Sequence, residues 1–470
     1  MRKDLLWWLS FALVGAGLIL WGINWWANRP LFLDEANIAR NLYDRSFTTL
    51  FSPLDHKQYA PPLYLVIAKA CGALFGYTER SLRLPALLGG IMAIYGLIVG
   101  SKALKLRWWA LLPLALLFVN PTVLRFVGEL KPYGLDLGVA ALFVGYGLKG
   151  FRPNWKWAVA GLFAIWLSLP SVFILAALGS HYFYRALRSS SKTNPVRLAD
   201  WFLAGGAWIV SFVGLYLLII RPSVGSQHLE VYHRAYFFPI PGQGGFWSAA
   251  GDLSLTFPKL AFGYTALAIT VGVFVVVTAF AFRKARLAFW LLLPVVFAIF
   301  ASTIGHYSLI PRLLLFTLPG WWLLAAQVSE QLTKRLPPYG RVLLVGLWLL
   351  VLAGTNVIRH YRTPEVFSDV RDLTWELQEG YTPILHHGAV PGYDFYQRIH
   401  PKGPQSTEIV QERNIKHATF PGKYVLLYDV LTQGNIRTSA EQDSIWAAGR
   451  GCHVRTEPYF RAKAVYLDCP

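Results

Sequence analysis

The sequence predicts an α-helical polytopic membrane protein followed by a small C-terminal α/β domain. Three observations carry this reading. The first is composition: of 470 residues, 55% are hydrophobic and only 15% charged, with 19 Trp and a mean hydropathy of +0.41, more apolar than a soluble core of this size requires. The second is a series of eleven apolar stretches of roughly the length that crosses ~30 Å of hydrocarbon, near 5–26, 84–101, 108–126, 133–148, 155–170, 171–185, 200–220, 261–282, 287–304, 312–330 and 342–358. The third is a change of composition after Thr355, beyond which the chain reads as a soluble module.

The first stretch, Leu5 to Ala27, follows Met-Arg-Lys-Asp and lacks a small-residue cleavage site, so it reads as a retained span rather than a signal peptide. With Arg2 and Lys3 inside, every second connection is basic: Lys102, Lys105 and Arg107; Lys149, Arg152 and Lys156; Arg185, Arg188, Lys192 and Arg197; Arg283, Lys284 and Arg286; Lys334, Arg335 and Arg341. That alternation is the positive-inside pattern, and it places the N-terminus in the cytoplasm and the C-terminal domain outside a bacterial inner membrane. It also accounts for the net charge of +19. Residues 359–470 carry 13 basic and 13 acidic side chains, so the excess lies among the apolar stretches, where membrane lipid rather than nucleic acid is the partner.

An additional apolar run, 61–77, would invert every later loop if it spanned, and Lys69 lies in its middle. It reads as a juxtamembrane or re-entrant helix within a first external loop, 28–82. The apolar stretches and their loops form a catalytic unit, 1–358. A second external loop, 221–258, combines turn residues (Pro222, Pro239, Pro241, Gly242, Gly244, Gly245) with Tyr232, Tyr236, Phe237, Phe238 and Trp247, suiting either a lid or an interfacial aromatic belt. In the domain 359–470, the short runs Pro383–Leu385, Tyr424–Tyr428 and Ala464–Leu467 alternate with helix-like stretches such as Ser439–Gly449. Cys452 and Cys469 lie in this domain and are expected to pair in an oxidising compartment, with Cys71 remaining single. No cysteine has zinc-ligand spacing.

Few charged residues remain for chemistry. Asp34 and Glu35 follow the first span in RPLFLDEANIARNLYD, and Glu129, Lys131, Tyr133 and Asp136 crowd into GELKPYGLD before the fourth. Asp34 suits either a helix cap or a base whose pKa is raised at the water–membrane boundary. Glu129 and Lys131 could form an interfacial ion pair with Tyr133 as a belt residue. Alternatively Lys131 meets a phosphate while Glu129 or Asp136 orients a sugar hydroxyl. Arg312, at the start of the tenth span, suits either snorkelling or a lipid phosphate.

The segments LDEANIARNL, YAPPLYLVIAKACGALFG, ERSLRLPALLGG, GELKPYGLDL and IPRLLLFTLPG, in this order, resemble the glycosyltransferase C superfamily. Within it they are similar to the protein O-mannosyltransferase and lipid A aminoarabinose transferase group, and to bacterial members labelled dolichyl-phosphate-mannose-protein mannosyltransferase-like. The resemblance covers roughly the first 330 residues. It implies the GT-C fold and an inverting transferase that passes a hexosyl or pentosyl unit from a polyprenyl-phosphate carrier, such as undecaprenyl phosphate, to a glycan, lipid or protein hydroxyl on the extracytoplasmic face. Carried over, it makes Asp34 the general base, Glu35 its acidic neighbour and Asp136 or Glu129 the second acid, with Lys131, Tyr133 and Arg312 at the donor phosphate and lipid. Some superfamily members use a divalent cation, which here would fall to Asp34 and Glu35. The Glu-x-Lys-x-Tyr pattern in GELKPYGLD departs from the aminoarabinose transferases and leaves the acceptor open. A polymerase or ligase of lipid-linked glycans shares this chemistry. A transporter would instead show ionisable groups near mid-bilayer, where His181 is the main polar exception.

Overall fold

The computed structural model describes residues 2–150, 152–188, 198–224, 232–263, 266–281, 285–352, 357 and 368–470. Lys192, Arg197, Arg283 and Lys284 of the basic connections, residues 225–231 of the second external loop and the 358/359 boundary lie outside them.

The chain is mostly helical with a four-stranded sheet near its C-terminal end. α1 (Arg2–Trp26) leads to α2 (Leu33–Asp44), α3 (Pro62–Phe75) and α4 (Glu79–Ala103). α3 begins with a proline in its first turn and ends at Gly76, whose φ of 82° suits a residue without Cβ. Four helical stretches, Leu5–Trp26, Glu79–Ala103, Ala199–Ser223 and Arg286–Thr303, are long and apolar enough to cross a membrane, and Pro62–Phe75, Trp108–Val119 and Trp155–Leu167 are shorter apolar helices.

The stretch 108–126 is not one helix. After a short 3-10 turn, α5 (Leu111–Val119) stops at Asn120, and α6 (Pro121–Phe126) starts on Pro121. The Asn120 side chain caps α6 by accepting from the Thr122 and Val123 amides, and it donates to the Leu260 carbonyl. α7 (Tyr133–Gly150) starts directly after Pro132, whose carbonyl accepts from the Asp136 amide. It crosses α4 at very short range: a methyl group on Gly89 would overlap the Gly134 carbonyl, and one on Gly145 would overlap that of Gly96. Glycine at these crossings lets two apolar helices pack backbone to backbone.

α8 (Trp155–Leu167), α9 (Ser171–Arg188) and α10 (Leu198–Leu215, running on through a π turn to Val224) follow. The segment 221–258, expected from sequence as a second external loop, is partly helical where it is described, since α11 (Phe246–Phe262) occupies its end. α12 (Ala266–Ala281), α13 (Ala285–Thr303), a 3-10 segment Pro311–Thr317, α14 (Leu318–Leu332) and α15 (Pro338–Leu352) complete the bundle.

The module contains α16 (Val370–Trp375), β1 (Thr382–Leu385), α17 (Val390–Asp394), β2 (Gly422–Tyr428), α18 (Gly434–Ala448), β3 (His453–Tyr459) and β4 (Ala462–Cys469). The sheet order is β1-β2-β4-β3, with β1 parallel to β2 and the other pairs antiparallel. Alternation divides β2 between two cores: Leu426 and Tyr428 pack with Ile436 and Ala440 of α18, Val425 and Leu427 with Leu373 of α16. The three apolar runs named from sequence fall on β1, β2 and β4. β3 is an edge strand of mixed exposure and offered no apolar run. Cys452 and Cys469 form the expected disulfide, and Cys71 is free.

Candidate active site

The acids named from sequence lie at the starts of α2 and α7 and in the turn that precedes α7. Phe32 is extended (ψ 157°), so α2 begins at Leu33 and puts Asp34 and Glu35 in its first turn. Glu35, not Asp34, performs the capping, its Oε2 accepting from the Phe32 amide at 3.1 Å. The same carboxylate is gripped by Arg83 of α4, Nε to Oε1 and Nη2 to Oε2 both at 3.0 Å, and Oε1 also accepts from the Leu130 amide at 2.7 Å. Glu35 is 1% exposed. Burial alone would raise its pKa, but Arg83, Arg29 and these hydrogen bonds outweigh burial and hold it at about 2.

Asp34 has a different environment. Its carboxylate is 39% exposed and stands 3.4 Å from the ammonium of Lys131, which is 13% exposed and has Gln58 Oε1 at 3.5 Å. The Glu129–Lys131 pair considered from sequence does not form. Glu129 is buried between Arg125 (2.9 Å) and Arg29 (3.3 Å), while Lys131 turns to Asp34. Tyr133, edge-on to Phe126 at 4.9 Å between ring centres, lies close enough to feel the charges of Lys131, Arg312, Asp34 and Asp136. Arg312 donates to the Tyr232 hydroxyl at 3.2 Å, tying the start of the 3-10 segment to the second external loop.

Asp136, one turn into α7, is 5% exposed, and among the described residues its Oδ1 has no hydrogen-bond partner. The Tyr59 and Tyr64 hydroxyls and those of Ser168, Ser171 and Ser308 are likewise buried and unpartnered. Ser168 lies beside the Asp136 carboxylate, and Tyr64 and Tyr307 lie within its electrostatic reach. Buried polar groups are ordinarily satisfied, so the open Asp136 oxygen, with the unpartnered Tyr64 hydroxyl in reach, marks a place where a polar ligand or water completes the set.

The Asp34–Glu35 pair does not fit a divalent cation. Both Glu35 oxygens already accept from Arg83 and from backbone amides. Among the described residues no group of three or more His, Cys, Asp or Glu side chains is arranged to hold a metal. His181 is half-buried against Trp290, 5.5 Å between ring centres, and joins no relay among the described contacts.

Sequence reasoning missed Arg29, Arg83 and Arg125, the cations that hold the two buried glutamates. A signal existed for Arg83, which lies one helical turn after Glu79 in ERSLRLP. It missed the open hydroxyls too, because serine and tyrosine at span ends are unremarkable in a sequence.

No family model and no curated protein matches the sequence. Solved structures do. ArnT from Cupriavidus metallidurans in the apo state superposes with a TM-score of 0.55 over 98% of this chain and 97% of ArnT, at 12% identity. The chain has the fold of this ArnT. The same ArnT bound to undecaprenyl phosphate matches with a TM-score of 0.50 over 98% of both chains, again at 12% identity. At 98% coverage of this chain the likeness includes the C-terminal sheet as well as the helices.

Proposed function

We propose that this protein is an inverting glycosyltransferase of the bacterial inner membrane that moves a sugar from a polyprenyl-phosphate donor to an acceptor hydroxyl on the extracytoplasmic face. The observation that carries the reading is the contrast among the four acids. Glu35 and Glu129 are held by arginines, whereas Asp34 opens to solvent beside Lys131 and Asp136 keeps a buried oxygen without a partner among the described residues. Residues 1–358 supply the catalytic bundle with eleven spans, and residues 359–470 an extracytoplasmic domain. Lys102 sits at the opposite end of α4 from Glu79, which touches the module, in keeping with a cytoplasmic N-terminus.

In this mechanism the donor phosphate lies between Lys131 and Arg312, with the prenyl chain along the apolar helices. Phosphate draws Lys131 off Asp34 and frees the carboxylate. The acceptor oxygen attacks the anomeric carbon as its proton passes to Asp34, the bond from that carbon to the phosphate oxygen breaks, and the two cations stabilise the departing polyprenyl phosphate. Asp136 and the hydroxyls about it receive the sugar ring. Glu35 fixes Arg83 and the start of α2, a positioning part rather than a reacting one. The binding of undecaprenyl phosphate by the ArnT of the same fold supports a donor of this kind.

Purified protein in nanodiscs, given undecaprenyl-phosphate sugars with a labelled glycosyl group and a cell-envelope extract as acceptor, should transfer label and release undecaprenyl phosphate. Label that stays on the donor across a hexose and pentose panel would reject the reading.

A further inference from the structure

The module is joined to the site helix by an unusually concentrated set of polar contacts. Three side chains within five residues of the α17 turn, Asp394, Tyr396 and Arg398, hold the start, middle and end of the α2 region. The Tyr396 hydroxyl accepts from the Leu31 amide at 2.8 Å and donates to Glu79 Oε1 at 3.1 Å. Asp394, fully buried, takes Arg40 Nε of α2 on Oδ2 at 2.8 Å and Arg398 on both oxygens at 3.1 and 3.2 Å. Arg398 in turn forks onto Asp44, the last residue of α2, at 2.8 and 2.9 Å. The four charges balance, two positive and two negative.

Glu79, the first residue of α4, repeats the pattern. It accepts from Arg371 and Tyr396 and meets His400 at 3.0 Å, all three from the module, one turn before the Arg83 that grips Glu35. Both helices that define the position of Asp34 are thus held from the same side.

A buried ionic cluster is a weak way to add stability, because desolvation of the charges offsets most of their attraction, and apolar replacements often do as well. Its directional bonds fix geometry instead. Asp34 lies six residues before Arg40, about 9 Å along a helix rising 1.5 Å per residue, so a tilt of α2 at Arg40 moves the carboxylate. The geometry points to Asp394 as a positioning residue for sugar transfer, acting through Arg40 and α2 on Asp34. It rests on the reading of Asp34 as the base.

The test uses the full chain in nanodiscs with Asp394→Asn, the milder Tyr396→Phe, and the double variant Asp394→Asn with Arg40→Gln. The double variant removes one charge of each sign and leaves Arg398 paired with Asp44. Asp394→Asn should lower kcat by on the order of 10²-fold, the scale of a 1 Å misplacement of a reacting group, with donor KM unchanged. Amide hydrogen exchange over residues 33–44 should quicken while that of α9 and α13 does not. Tyr396→Phe should show the same signature at smaller amplitude, and the double variant should fall no further than Asp394→Asn alone, because both cut the same link. Wild-type kcat with wild-type exchange in Asp394→Asn and Tyr396→Phe overturns the proposal, as does a loss of kcat that the double variant deepens. Failure of the underlying reading looks different: Asp34→Asn then keeps its turnover, whatever Asp394 does.

Discussion

Asp34 and Glu35 are adjacent in the chain, yet one faces the open side of α2 and the other its packed side. On the packed side Glu35, Glu129, Asp394 and Glu79 are all buried and each meets at least one arginine. On the open side Asp34 is partly exposed beside one lysine, and Asp136 keeps an oxygen without a partner among the described residues. The packed side fixes geometry, because charged donors already engage these carboxylates and hold them to their helices. The open side retains the capacity to react. Substitutions of Asp34 and Glu35 should therefore fail in different ways, the first in turnover and the second in stability.

Asp34→Asn gives the sharpest contrast. It keeps the size of the side chain, and capping is not at stake because Glu35 supplies it. Transfer should fall by ~10²–10⁴-fold, the usual worth of a general base, with expression, melting temperature and donor binding retained. A folded variant that turns over at the wild-type rate would remove the distinction and leave Asp136 as the base.

Glu35→Gln should do the reverse. Arg83 would stay buried without its carboxylate, a loss of ~3–5 kcal/mol, seen as a large drop in detergent melting temperature or in folded yield. The pH dependence follows in sign. The Glu35 pKa is about 2 in the folded chain against 4.5 for a free glutamate, so its contribution is complete above pH 4.5 and is lost as pH falls towards 2. Wild type should lose melting temperature over that window with a steeper slope than Glu35→Gln; parallel slopes would show that Glu35 is not a stabilising ion pair.

The module offers a smaller effect, in the core that packs against Phe32 and Leu33 at the start of α2. Replacing Cys452 and Cys469 by serine opens a loop of sequence separation 17, worth ~3 kcal/mol on chain-entropy grounds. The sheet should open at lower denaturant, as read by proteolysis at its β3 edge, while donor binding by the bundle persists. Simultaneous loss of both would mean that the bundle depends on the module throughout, not only at α2.

Much of this was legible in the sequence, and the remainder has identifiable reasons. Apolar length marked the helices, because a residue in lipid must be apolar whatever its neighbours. The break at Asn120–Pro121 was hidden inside a continuous apolar run, although Asn-Pro is a cap-and-start signal that could have been used. Spacing put Glu129, Lys131 and Asp136 within eight residues, and one of its two readings paired Glu129 with Lys131, whereas Arg29 and Arg125 reach Glu129 only after α1 and α6 have packed. Neighbouring acids in a sequence carry no sign of which one faces inward. Only the three-dimensional partners, Arg83 above all, separate Glu35 from Asp34.

The smallest expected effect tests the donor side of the same comparison. Lys131→Ala removes the cation beside Asp34, and Arg312→Ala removes the one tied to Tyr232. If both cations meet the donor phosphate, each variant loses a charge-assisted contact of ~1.5–3 kcal/mol, so donor affinity weakens by roughly 10- to 100-fold. The two variants should differ in one respect. Each variant takes one cation from the departing phosphate and should lower kcat at saturating donor, but Lys131→Ala should lose less, because the Asp34 carboxylate is then free of its partner before donor arrives. Donor binding by microscale thermophoresis, set beside turnover at saturating donor, separates these outcomes. Unchanged donor affinity in both variants would place the phosphate elsewhere and make the Asp34–Lys131 pair a surface ion pair of little energetic consequence.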